Sequence, residues 1–518
     1  NNMENQKYND IPKDMFEFTT AGDLKHDQKL DTKPVGYFKD AFLRFRRNKG
    51  SVFAAIIIGL LVLYAIIAPL ISQYDVKYND ERSRYTLPKS ALSEALGIDF
   101  WDGCQEKELT KEMFYYYYAM GIETGHNAVK NQEYSTYEVE NGRKKTTYYS
   151  FRLDTYHANG VIFKDFTEEE YLNIQKYQNE TGIQVIYPIT DKTKRPEASQ
   201  DKDDANYWFE TKTVNGKTEA VLNEDGEFTN VYQAYTGKDG YNSIRIEGEE
   251  PLYDYAEANQ TGYKLRINYY EYYIYYHSYY LQDGITEPMF LFGTTNYGQD
   301  IFTCLASGAR FSFFLAIIVT LVNFTVGAIY GAIEGYYGGK TDLVMERISD
   351  LLSAVPFMIV ITLLKLHMGS ASNIWALLIA FFVTGWIGMA NSVRMQFYRF
   401  KNQEYVLAAR TLGASDRRIM FKHIFPNSLG TLITGSVLAI PSVIFSESSL
   451  SYLGIINLST GDITSVGTLL SAAQPYLTTY PHMILFPALF ISLLMLSFNL
   501  FGNGLRDAFN PSLRGAEE

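Results

Sequence analysis

The chain has 518 residues, a formal net charge of −12, 47% hydrophobic and 15% aromatic residues, and a mean hydropathy of −0.15, averages that describe an ordinary acidic soluble protein. They mislead, because residues 73–300 hold 39 of the 58 Asp and Glu but only 23 of the 46 Lys and Arg, which leaves that stretch at −16 and the other 290 residues at +4. An acidic block set between nearly charge-free apolar runs disfavours simple soluble and fibrous proteins, and nucleic-acid binders too, since acid repels phosphate.

Residues 1–35 are polar and mixed in charge and read as a mobile tail. In the next stretch, 36–72, Phe38, Ala41, Phe42 and Phe45 fall at i, i+3, i+4 and i+7 beside Lys39, Arg44, Arg46 and Arg47. This spacing predicts a helix lying on the inner leaflet, although plain positive flanking of a span uses the same residues. The run Ser51–Ser72 follows; its 22 residues, at about 1.5 Å each, cover the roughly 30 Å hydrocarbon core. Fifty largely hydrophilic residues stand before it and no clean small-x-small site comes after it, so it reads as a retained anchor rather than a signal peptide.

The block 73–300 is too long and too aromatic for a disordered loop and reads as an inserted α+β domain. Thr167-x-x-Glu170 opens an apolar-periodic stretch ending at Gly182, a capping-box helix. Tyr263, Leu265 and Ile267 alternate with Lys264, Arg266 and Asn268, the pattern of a half-exposed strand. The tyrosine clusters Tyr115 to Tyr118 and Tyr269 to Tyr280 read as core and strand surface, with contact to a ligand or partner as the other possibility. Cys104 and Cys304 are a candidate disulfide or two free thiols.

Residues 301–518 add five further apolar runs: about 311–333, 351–366, 374–393, 429–445 and 483–501. Gly327, Gly331 and Gly335 recur every fourth residue and would let another helix approach closely. With the amino terminus inside, sixteen Lys and Arg lie in the inner segments, whereas the outer turn and the stretch 446–482 carry only Lys365. The positive-inside rule therefore predicts six spans, both termini cytoplasmic, and residues 73–300 extracellular.

Gly338-Gly339-Lys340-Thr341 ends like a phosphate-binding loop, but Glu334 occupies the place of that loop's first glycine and the short connection has no room for a preceding strand. Neither a paired-histidine metal motif nor a Gly-x-Ser-x-Gly elbow is present. The sequence thus argues against an enzyme and against a metal or cofactor in this chain. Glu334, Asp350 and Glu447 fall near ends of spans, where a charge marks either a path or gate or a packing ion pair. The most informative stretch is the inner connection 394–426, containing EYVLAARTLGASDRRIMFKHIFPN. A helix from Glu404 to Leu412, stopped by Gly413, would present Ala408 and Ala409 for close docking, ringed by Arg410, Arg417 and Arg418. Too short to bury a core of its own, it reads as a knob for a cytoplasmic partner.

At these residues the chain resembles the inner-membrane permeases of ABC importers, specifically the C-type permease of the oligopeptide, dipeptide and nickel group. The family's inner loop reads Glu-Ala-Ala, three residues, Gly, nine residues, then Ile-x-Leu-Pro. Ala408, Ala409, Gly413 and Pro426 stand at that spacing, Leu407 takes the place of the glutamate with Glu404 one turn earlier as its candidate substitute, and His423 and Phe425 replace the Ile and Leu. RFRRNKG, APLISQYD, FGTTNYGQDIFTCLASGARFS, GYYGGKTD, DLLSAVPF, SESSLSYLG, GTLLSAA and LSFNLFGNGLRDAFNP resemble the group's segments in order, over roughly 36–75 and 290–512. The block between them is far longer than the family's usual loop.

The resemblance implies an all-α membrane protein, a six-span importer permease of type I interrupted by the α+β domain. It implies half of a translocation path for oligopeptides, shared with a B-type permease, fed by an extracellular solute-binding protein and driven by two cytoplasmic ATPases that hold the ATP and Mg. Glu404, Tyr405, Leu407, Ala408, Ala409, Arg410, Gly413, Ala414, Arg417 and Pro426 would form the ATPase-coupling surface, and the polar stretch 446–482 would line the outer vestibule or meet the binding protein. Dipeptides, nickel chelates or opines are alternative cargoes. A surface receptor or adhesin acting through residues 73–300 is the alternative of another class.

Overall fold

The computed structural model describes residues 36–99, 101–141, 144–191, 193, 203–232, 253–369, 373–458 and 464–509. The tail 1–35 and Arg514 lie outside these residues. The first helix, α1 (Tyr37–Arg47), is the amphipathic one predicted: Ala41 is buried, and Phe45 and Phe38 meet the rings of Phe501 and Phe509 near the end of the last helix. Asn48 then breaks the chain direction and its side chain accepts from the Ser51 amide, capping α2 (Lys49–Ile71). This first span turns its small residues Ser51, Ala54, Ala65 and Ala68 inward and leaves Leu60, Leu63 and Leu70 exposed for lipid.

The block that follows is α+β. In order it contains α3 (Ala91–Leu96), β1 (Cys104–Thr110), α4 (Lys111–Thr124), β2 (Val129–Asn141), β3 (Lys144–Asp154), β4 (Val161–Phe166), α5 (Glu168–Thr181) and β5 (Ile186–Tyr187). There follow β6 (Thr211–Val214), β7 (Lys217–Ala220), β8 (Ala256–Ala258), β9 (Tyr263–Asn268) and α6 (Tyr269–Ile274). One antiparallel sheet has the order β1-β3-β2, a second β4-β9-β5 with β8 also on β9, and β6 pairs with β7. The capping box of α5 forms at Thr167 and Glu170, and Gly182 ends that helix at φ 71.

Two sequence readings need correction here. Strand β9 forms, but it is not half-exposed. Tyr263, Leu265 and Ile267 pack in one core, and Arg266, 0% exposed, is neutralised on the other face by Glu123 of α4 at 2%. Arg266 also donates to the carbonyls of Ala205 (2.6 Å) and Pro188 (3.1 Å), so the buried guanidinium is satisfied. The tyrosine clusters, for their part, ride on helices rather than strands. Tyr115 to Tyr118 lie on α4, and Tyr269 to Tyr280 on α6 and the π-helical turns Tyr275–Leu281 that continue it.

The block sits directly on the helical bundle. Tyr85 stacks on Tyr480 at 4.5 Å, and Trp101 stacks on Phe486 at 5.7 Å while donating to the carbonyl of Leu291. Aromatic faces with one polar handle suit such a junction.

The bundle resumes with α7 (Ile301–Tyr337), capped by Asp300, whose carboxylate accepts from the amides of Phe302 and Thr303. It starts ten residues earlier than the apolar run suggested. Then come α8 (Gly339–Ser353), α9 (Phe357–Met368), α10 (Asn373–Thr384), α11 (Ile387–Phe400), α12 (Glu404–Thr411), α13 (Asp416–Arg418), α14 (Phe425–Tyr452), α15 (Val466–Ala473) and α16 (His482–Phe509). Helices α10 and α11 form one span, as do α13 and α14, which π-helical turns at Ile419–Ile424 join.

Among the described residues five helices are long and apolar enough to cross a membrane, or six if α8 and α9 count as one span bent by 71°. The third candidate span, about 351–366, is thus bent at its proline rather than a single straight helix. Pro356 lacks an N–H and pushes the residue before it out of helical geometry, so the chain turns at 354–356. Helix α11 packs closely on α7 along the predicted glycines. A Cβ on Gly331 would lie 2.1 Å from the carbonyl oxygen of Ala390, and one on Gly335 would lie 2.8 Å from that of Arg394.

Cys104 and Cys304 are both free thiols, so the candidate disulfide is not formed. Cys304 faces the interior of the bundle from α7, whereas Cys104 begins β1. Burial, with Asp154 and Asp102 close by, pushes the Cys104 thiol up to about 12, so it stays protonated and unreactive.

Candidate coupling loop and translocation cavity

The connection 394–426 is built around one anchored residue. In α12 Val406 is buried among Phe397, Ile419, Met420 and Ile424, while Glu404, Tyr405, Leu407, Ala408 and Arg410 are exposed and Ala409 is half-buried. Gly413, at φ +81, turns the chain out of the helix; its amide bonds the Arg410 carbonyl, and the Ala414 amide bonds that of Ala409. Leu412, beside it, is 87% exposed. A short helix anchored by Val406, with leucine and alanine facing out among exposed Arg410, Arg417 and Arg418, presents apolar surface that no described residue covers. Tyr336, at the end of α7, donates to Asp416 (2.6 Å) and accepts from Arg410 (3.4 Å), which ties α7 to both α12 and α13. Tyr405 accepts from Asn427 at 3.2 Å, and Pro426, which lacks an N–H, stands where the π-helical turns Ile419–Ile424 pass into α14.

The structure adds a hub that sequence reasoning counted only as a positive charge. Arg394 on α11 holds Asp342 of α8 in a two-pronged pair (2.6 and 2.9 Å) and Glu346 at 3.0 Å, and Tyr398 donates to the same Asp342 at 2.6 Å. Lys401 donates to the Gly335 carbonyl at the end of α7. The fork of arginine suits such bidentate pairing. The available signal was Asp342 and Glu346 at i and i+4 on a helix otherwise flanked by apolar runs.

The three candidate path acids do not converge. Glu334 is buried on α7, 3.6 Å from Arg394, with neither carboxylate oxygen hydrogen-bonded. Asp350 is exposed and pairs with Arg347. Glu447 is buried in α14 and accepts from Ser312 (2.9 Å), Ser451 (3.2 Å) and Ser448 (3.3 Å), which pins α14 to α7. Gly338 and Gly339 join two helices, not a strand to a helix, so the phosphate-loop resemblance has no structural counterpart.

Two cavities lie along the bundle. One of about 350 Å³ is a groove open on one side between α7, the junction of α10 with α11, and α14; its lining includes Asn323, Phe381, Met389 and Ser436 and no charged side chain. The other, of about 360 Å³, opens between Thr295 to Gln299 at the base of the block and Ser451, Asn457, Thr464 and Thr468. Of the stretch 446–482, described residues from Ser451 to Ala472 line this cavity beneath the block, and none of those lining it is charged. A further cavity of about 590 Å³ lies within the block, walled by Tyr272, Tyr273, Tyr276 and Lys164.

Comparisons with known proteins agree with this construction. Residues 323–515 match the model of the binding-protein-dependent transport system inner membrane component, and residues 36–88 match that of the N-terminal TM domain of oligopeptide transport permease C. The oligopeptide transport system permease protein OppC of Bacillus subtilis is 44% identical over 43% of this chain and 72% of its own length. The dipeptide transport system permease protein DppC of the same organism is 42% identical over 43% and 69%. OppC of Haemophilus influenzae is 41% identical over 44% and 72%. A solved inward-facing structure of the MetNI methionine ABC transporter aligns with 38% of this chain and 94% of its own at 13% identity and a TM-score of 0.31, a likeness that carries no further conclusion. Neither family model covers residues 89–322, which include most of the block. With the ordered apolar helices, the exposed α12 and these matches at both ends, the chain belongs to the family of binding-protein-dependent transport system inner-membrane components, as a multi-span permease.

Proposed function

We propose that this permease is one of two that form the path of an ATP-driven importer of short peptides, with one of the importer's two cytoplasmic ATPases seated on α12 and its arginines. The observation that carries this reading is the outward face of α12, with Leu412 uncovered and Gly413 at the family's spacing. The relatives named above are oligopeptide and dipeptide permeases, and an uncharged cavity suits cargo whose constant feature is a neutral backbone. ATP and Mg belong to the ATPases, so this chain does no chemistry itself. Helix α7 runs from the block to Tyr336 at the coupling loop, and α16 runs from the Trp101 contact to α1. That course supports an orientation with both ends and residues 394–426 in the cytoplasm and the block outside, as the Lys and Arg distribution also favours.

Purification of the tagged chain, followed by uptake of a labelled tetrapeptide into proteoliposomes, tests the reading. Two ATPases, a second permease and uptake that requires ATP are expected; a chain that comes alone and binds ligand through the block would instead be a receptor. The block would serve as a docking platform for the solute-binding protein or a cover over the entrance, since its base borders the 360 Å³ cavity. Removing about residues 100–285 should then abolish binding-protein association and reduce uptake, and unchanged values of both would exclude that role.

A further inference from the structure

The cavity of about 590 Å³ within the block is lined by two cations, Arg82 ahead of α3 and Lys164 on β4, and both side chains are exposed. Among the described residues neither has a carboxylate partner; the Lys164 ammonium donates only to the Tyr272 hydroxyl, at 2.8 Å. It lies 4.4 Å from the centre of the Tyr272 ring and 5.4 Å from that of Phe166. That setting withdraws the ammonium partly from water and lowers its pKa from the usual lysine value. The three carboxylates of the lining are already engaged. Asp80 accepts from Ser83 (2.6 Å), from Tyr269 and from the Arg82 amide (3.1 Å), Glu81 pairs with Arg84 at 2.7 Å, and Asp283 shares a hydrogen bond with His277 Nδ1 at 2.6 Å. With Arg84 included, three basic side chains stand against these three acids, so an incoming anion meets no excess of negative charge. What the lining leaves open to a ligand is cationic.

One wall of the cavity is aromatic. Tyr272 and Tyr276 fall four residues apart on α6 and the π-helical turns after it, so they share a helix face. Their rings stack at 5.8 Å, and Tyr276 is 36% exposed. Rings with an open face beside unmatched cations suit a ligand that carries an anion on an apolar or aromatic body, and the volume is that of a small-ligand site. In an importer of peptides the group with that chemistry is the carboxyl terminus, which every linear peptide bears next to its last side chain. We propose that this cavity is a peptide-binding site apart from the path, in which Lys164 and Arg82 hold the terminal carboxylate and Tyr272 and Tyr276 hold the last side chain. This inference rests on the peptide-importer reading and gives the block a ligand of its own.

The test uses the complete importer, purified in detergent without its binding protein and titrated calorimetrically with trialanyl-phenylalanine. Replacing the terminal carboxylate by an amide should weaken binding about tenfold or more, the worth of a hydrogen bond to a charged group. Acetylating the amino terminus should change little. Lys164→Gln should weaken the acid to the level of the amide and leave the amide unaffected, Lys164→Arg should restore the difference, and Arg82→Gln should weaken the acid alone. Equal binding of acid and amide, full affinity for the acid in Lys164→Gln, or no binding at all overturns the site. The comparison of acid with amide needs no variant, so it decides the matter even where Lys164→Gln fails to fold. Displacement of the peptide by an equal concentration of inorganic phosphate would mark a general anion site and overturns the peptide assignment. Binding that depends on Lys164 in an importer that takes up no peptide with ATP overturns the transport reading alone, a result distinct from uptake that is present without any such binding.

Discussion

The contact of α7 with α11 offers the sharpest quantitative test. A methyl group placed on Gly331 would stand 2.1 Å from the carbonyl oxygen of Ala390, 2.9 Å from its carbonyl carbon and 3.0 Å from its Cα. All three are backbone atoms of a helix, so no side chain can rotate away, and the two helices must part by on the order of 1 Å to restore ordinary contact. Overpacking of this kind costs about 1–3 kcal/mol, and rigid backbone on both sides puts Gly331→Ala near the upper value. For a core of this size that corresponds to a loss of roughly 5–10 °C in melting temperature. Gly388→Ala is the control, since nothing lies within 4 Å of its added Cβ. It should melt at or slightly above the unaltered protein, because alanine favours helix over glycine. The assay is thermal unfolding of the detergent-solubilised importer, read beside peptide uptake. Arg394 lies one turn beyond Ala390 on α11, so parting the helices should also stretch its pair with Asp342 and slow uptake. Equal melting of Gly331→Ala and Gly388→Ala would refute the packing argument.

Three further outcomes follow from the same geometry. Gly413→Asp places one of the few side chains that tolerate φ +81 beside exposed Leu412, at a local cost of about 1 kcal/mol; purified importer should keep its ATPases yet hydrolyse ATP without carrying peptide, and normal uptake would contradict the coupling role of α12. Arg266→Met should destabilise the block by about 3–5 kcal/mol by leaving Glu123 buried and unpaired, while Arg266→Met with Glu123→Met should recover most of the loss in the same melting assay. Arg394→Lys loses the fork that grips both oxygens of Asp342, so peptide carried per ATP hydrolysed should fall several-fold with the ATPases still bound, and an unchanged ratio would show that the hub is structural only.

Local chemistry alone determined much of this protein. Hydropathy marked the spans, because a bilayer demands a minimum apolar length; the Thr167 and Glu170 capping box and Gly182 bounded α5; Gly413 ended α12; and glycines at every fourth residue of α7 announced a close helix neighbour. Each of these features rests on residues within a turn or two of one another. Tertiary structure decided what depends on residues far apart in sequence. Arg266 reads as the polar face of a strand until Glu123, 143 positions away, arrives to neutralise it. Runs of tyrosine fit strand or helix equally well until the packing of α4 and α6 against the sheets makes them helical. Cys304 points into the bundle and so cannot meet Cys104, and Arg394 becomes a hub only when the turn at Gly338 and Gly339 brings Asp342 and Glu346 of α8 back to α11. Hydropathy and capping are short-range and additive along the chain, whereas pairing, burial and enclosure require the chain to return on itself.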